Sequence, residues 1–82
     1  MKMNMPRWLM GNIRRGELKE FIKMCEEIGF IHIQDNNCVA RFVMEGSKHD
    51  VKIKDFGGSV LYVEGRHGQS LASRFQRERN LG

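Results

Sequence analysis

The apolar pattern of this chain changes period at Gly29, and that change limits the fold more than any other feature of the sequence. Before it, Leu18, Phe21, Ile22, Cys25 and Ile28 recur at spacings of three and four, which places them on one stripe of a helix over residues 17–28. Glu17 falls in the first turn, where a negative charge suits the helix dipole. Gly29 is suited to end the helix in a left-handed cap. After it, short runs alternate between apolar and polar residues and are separated by turn formers, the pattern of strands with one buried face.

Residues 30–34 predict a strand with Ile31 and Ile33 toward the core and His32 and Gln34 away from it. Asp35, Asn36 and Asn37 make the following turn, because Asn and Asp tolerate positive φ. Residues 38–45 form a second strand, whose apolar side is Cys38, Ala40, Phe42 and Met44. A polar loop over 46–50 leads to a third strand at 51–55, and Gly57 and Gly58 mark a turn into a fourth at 59–64. A two-residue turn there would put Lys52 and Lys54 on the same face as Leu61 and Val63. A three-residue turn, Phe56-Gly57-Gly58, instead groups Val51, Ile53, Leu61 and Val63, so the longer turn is expected. Gly65 and Gly68 bracket the exit, and Ser70 is a candidate N-cap for a last helix over 69–79. That helix docks by Leu71, Ala72 and Phe75, with Leu81 beyond it.

The expected fold is therefore α+β: a helix, a four-stranded antiparallel meander and a C-terminal helix, with both helices on one sheet face. Residues 17–82 form this single domain, and residues 1–16 form a basic, Met-rich N-terminal segment. Pro6 suits the first turn of a short helix ending near Gly11 or Gly16. With 82 residues the chain supports one domain and no deep metabolite pocket. Cys25 and Cys38 suit buried free thiols rather than a disulfide framework or a metal site. No apolar run reaches the length of a membrane span, and residues 1–10 lack a signal-peptide core, so a reducing, cytoplasmic setting is expected.

A formal charge of +4 tilts the chain toward polyanionic partners. By strand alternation, the face opposite the core collects His32, Gln34, Arg41, Lys52, Lys54 and Tyr62, with Val39, Val43 and Val60 between them and no acid from the strand centres. A positive surface with an aromatic ring is how sheet platforms hold single-stranded nucleic acid. The competing reading is a solvated face kept charged to discourage edge association. A second basic cluster, Arg66, His67, Arg74, Arg77 and Arg79, lies at the C-terminus, where arginine forks suit phosphate. A third, Arg7, Trp8, Arg14 and Arg15, either reaches a groove as an arm or packs on the domain, the latter being expected. The leading expectation is a non-enzymatic nucleic-acid-binding module, RNA or DNA, that contacts its ligand through Arg41, Lys52, Lys54 and Tyr62, with Arg66, Arg74 and Arg77 secondary. No cofactor or metal is implied, because His32, His49 and His67 have no metal-ligand spacing. The alternative is a protein-interaction module, an inhibitor or adaptor of the phage or mobile-element type. It would meet an acidic partner partly through its six methionines.

Over residues 17–80 the order of elements resembles the double-stranded-RNA-binding fold and the small HicA-type toxin ribonucleases. In both, a helix ending in glycine precedes a three-stranded sheet and a closing helix. HicA-type proteins carry a Gly-Ser-His stretch with the catalytic histidine on a strand. Here Gly46-Ser47-Lys48-His49 places the histidine one residue later and in a loop, and four strands are expected instead of three. A HicA-like ribonuclease is the enzymatic alternative this resemblance implies.

Overall fold

A computed structural model describes residues 11–47 and 50–81 of the chain. Its elements are strand β1 (Gly11–Arg14), a 3-10 turn (Arg15–Glu17), helix α1 (Leu18–Ile28), strands β2 (Ile31–Ile33), β3 (Ala40–Val43), β4 (Asp50–Lys54) and β5 (Val60–Glu64), and helix α2 (Gly68–Leu81). The fold is α+β, as expected. The sheet is antiparallel in the order β1-β5-β4-β3-β2, so the first strand closes against the last.

β1 is the strand the sequence pattern did not predict. It lies in the segment expected to stand before the domain, where Ile13 is the only large apolar residue of a four-residue run. Ile13 pairs opposite Leu61 and is 1% exposed, while Asn12 and Arg14 point outward. A helix extending from Pro6 to Gly16 is excluded by this strand, and residues 1–10 lie outside the described residues. α2 begins at Gly68, before Ser70, so Ser70 sits inside the helix rather than capping it.

Both helices cover one face of the sheet. Phe21 of α1 is fully buried and meets Phe42 of β3 edge-on at 6.5 Å and Phe75 of α2 at 5.4 Å. Val51, Ile53, Leu61 and Val63 complete that face, each no more than 1% exposed. The β4–β5 register, Ile53 opposite Val63, is two residues away from the register a Phe56-Gly57-Gly58 turn would give. An even shift preserves side-chain parity, so the expected four residues still face the core.

At Gly29 (φ 124°) the helix closes in a Schellman motif: Gly29 N–H donates to Glu26 C=O, and Phe30 N–H donates to Cys25 C=O. This closure turns Phe30 into the core, where it is 6% exposed. By alternation His32 shares that side, 5.1 Å from the Phe42 ring, and Ile31 and Ile33 turn to the open face. The expectation for this strand is thus reversed, because burying the larger Phe30 ring against the helix cap fixes the parity. A second constrained glycine, Gly65 (φ 115°), passes so close to the Asp50 carbonyl of β4 that a Cβ would collide with it.

Glu17 ties the ends of the fold together. Its carboxylate accepts the Arg14 N–H at 2.9 Å and pairs with Arg79 Nε at 3.0 Å, and Arg79 also reaches Glu20. Removing the side chain where the layers meet should cost most. Phe21→Ala should lose about 3–5 kcal/mol of stability, read as a lower urea midpoint at an unchanged slope. A loss under about 1 kcal/mol would mean that the core closes over the gap.

Candidate nucleic-acid interface

The uncovered face is read row by row across the strands. Asn12, Tyr62 and Lys54 stand side by side on β1, β5 and β4. The next row is Glu64, Lys52, Arg41 and Ile33, and the one beyond is Asp50, Val43 and Ile31. Arg41, Lys52, Lys54 and Tyr62 therefore do share one face, with Lys52 directly opposite Arg41. His32 is not among them, and Gln34 lies beyond the end of β2.

No acid comes from the strand centres, but two at strand ends join this set. β4 starts at Asp50, which alternation puts beside Lys52 and Lys54, and Glu64 has the parity of Tyr62. Arg41 Nε donates to Asp50 at 2.7 Å, and a second guanidinium nitrogen reaches Asp35 at 3.1 Å. Hydrogen bonding to Asp50, then to Asp35, raises the Arg41 pKa. Asp35 is held below its ordinary range, first by the Asn37 N–H (2.8 Å) and further by Arg41. Lys54 Nζ lies 3.6 Å from Glu64. The described residues carry eleven Lys or Arg against ten Asp or Glu, a net charge of only +1. The rest of the chain's +4 belongs to Lys2, Arg7 and Lys48, outside the described residues.

The 55–59 loop supplies what the pattern missed. Arg15 grips both Asp55 oxygens, one at 2.9 Å, and also donates to the Gly58 carbonyl, while Gly57 N–H donates to Asp55 at 2.8 Å. On this anchored loop Phe56 is 66% exposed, with its ring 5.4 Å from Tyr62. Sequence reasoning had assigned Phe56 only a turn role. The one available signal was a large aromatic residue in a short loop, with no partner at core parity. Arg14, from the basic N-terminal cluster, lies opposite Val60 at the same end of the face. Arg7 and Trp8 fall outside the described residues.

The C-terminal arginines do not join this surface. Arg74 and Arg77 stand on α2, on the other side of the sheet, with Arg74 paired to Glu78 at 3.0 Å. Arg66 lies in the turn before α2, where Gly68 N–H is already used by the Gly65 carbonyl. His67 packs edge-on to Phe30 at 6.3 Å, and His49 lies outside the described residues. Cys25 is buried, which pushes its thiol up to about 12 and leaves it protonated and inert. Cys38 is only half-buried, because β3 begins after it, at Ala40; burial raises its pKa as well. Among the described residues no cluster of His, Cys, Asp or Glu is placed to hold a metal, and no helix is long and apolar enough to cross a membrane.

The protein is a small α+β fold in which, among the described residues, one sheet face is left uncovered by the helices. No family model matches the chain, and neither does any curated protein or solved structure.

The anchoring of the Phe56 loop is testable by titration. Hydrogen bonding from Arg15, then from Gly57, lowers Asp55 from the ordinary 3.8 to about 2. A carboxylate with a lowered folded-state pKa contributes stability above its unfolded value, and this is lost as pH falls from about 3.8 through about 2. In Arg15→Gln the Asp55 carboxyl should titrate close to 3.8 by NMR; a value still near 2 would assign the shift to the loop amide instead.

Proposed function

We propose that this protein is a small, non-enzymatic nucleic-acid-binding module that holds a single strand on its open sheet face. The observation carrying this reading is the exposed Phe56 ring, fixed by the Arg15–Asp55 clamp against Tyr62 with Lys54 alongside. Exposed rings offer stacking to any base, and neighbouring cations take up the phosphates. Arg14, Lys52 and Lys54 are the cations for that purpose, while Arg41 acts as the anchor of an ion-pair network with Asp35 and Asp50. Arg66, Arg74 and Arg77 stand outside this contact.

The experiment is a titration with labelled single-stranded RNA and DNA across a salt series. Because each neutralised phosphate releases counterions, about three contacts give a log–log salt slope of about −2. Phe56→Ala and Tyr62→Ala should each weaken binding about tenfold, within the range for loss of one stacked base. Absence of binding at low salt, or binding indifferent to both rings, would overturn the reading. The same RNA should remain intact on prolonged incubation. Cleavage that disappears in His49→Ala would replace the binding reading with a HicA-like ribonuclease.

A further inference from the structure

A second concavity lies in the helix layer, away from the open face. It has a volume of about 330 Å³ and lies between the end of α1 and the first turns of α2. Its floor is apolar: Ile28, Phe30, Met44 and Leu71. Its rim carries Arg74 and Arg77, three residues apart on α2 and on one stripe with Ser70 and Leu71, and His67 lies in the turn just before the helix. At one end, Arg74 is taken up by Glu78, and Glu27 stands close by, so an incoming anion is directed to the Arg77 end.

From this arrangement we infer that the groove is a docking site for an acidic peptide segment of a partner protein, one that carries a bulky apolar side chain beside its carboxylates. The apolar side chain fills the floor, and the carboxylates meet Arg77. Charge complementarity selects an anionic occupant, and the floor selects a peptide over a nucleic acid. Phe30 is 6% exposed, so its ring face is closed to a base. The floor side chains offer no partner for the polar edge of a base, whereas a leucine or phenylalanine side chain needs none. Met44, half-buried and unbranched, can adjust to the side chain that enters.

The test uses the full chain and a fluorescein-labelled synthetic peptide of alternating leucine and aspartate, read by anisotropy, with Met44 methyl shifts followed by NMR. Saturable binding is expected near about 10 μM, weakened about tenfold by Arg77→Glu and, separately, by Met44→Gln, and unchanged by Phe56→Ala. A serine-for-leucine version of the peptide should bind about tenfold more weakly, which separates groove insertion from simple charge attraction. Three outcomes would overturn the inference: no saturation by about 1 mM, equal binding of the serine peptide, or displacement by a single-stranded oligonucleotide that itself moves the Met44 methyl.

Discussion

Among the described residues the helices cover one side of the sheet only, and the rest of the structure follows from that constraint. Phe21 stands where α1, α2 and β3 meet, and β1, β3, β4 and β5 send Ile13, Phe42, Ile53 and Leu61 to the same side of the sheet. Once Phe42, Ile53, Leu61 and Val63 face the helices, alternation leaves no choice about what faces solvent. The composition of the open face is thus a by-product of core packing. Lys52 and Lys54 are there because Val51 and Ile53 are not.

This explains which features were legible in the sequence. The α1 stripe and the β4–β5 parity were legible because each repeats its apolar signal several times, and parity survives even a two-residue error in register. β2 was misread because Ile31 and Ile33 alternate as core residues do, and two isoleucines outweigh the single ring of Phe30 at the opposite parity. A Schellman closure conventionally carries an apolar residue directly after its glycine, and that local rule outweighs the isoleucine alternation. β1 was missed because Gly11-Asn12-Ile13-Arg14 contains one apolar residue, too few for a period. The acids on the open face were legible in principle: Glu64 is two residues from Tyr62, and Asp50 two from Lys52, the spacing that puts side chains on one face. The Arg15–Asp55 contact spans forty residues and has no local signature.

The ion pairs change how charge on this surface should be understood. A cation held by two carboxylates, as Arg41 is by Asp35 and Asp50, gives up its phosphate-binding capacity to position its neighbours. Surface pairs of this kind contribute little to stability, since solvent screens them. Their effect is geometric: they hold Arg41 with Asp35 and Asp50 in one arrangement toward the β3 side of the face. The proposed ligand contacts, Arg14, Tyr62, Lys52, Lys54 and Phe56, lie across β1, β5, β4 and the 55–59 loop.

A partly neutralised face cannot bind a polyanion by field alone. On the face, Asp50 and Glu64 offset part of the charge of Arg14, Arg41, Lys52 and Lys54, and what attraction remains falls off within a Debye length. Affinity on this surface must come from short-range contact, and short-range contact favours groups that need no reordering before they bind. Phe56 meets that condition, since Arg15, Asp55 and Gly58 fix its loop before any ligand arrives. An exposed phenylalanine on a mobile loop would lose much of its stacking energy to ordering. On the proposed reading, Phe56 anchored against Tyr62 presents its ring without reordering, which would favour unstacked bases over a duplex, whose bases are already stacked on each other.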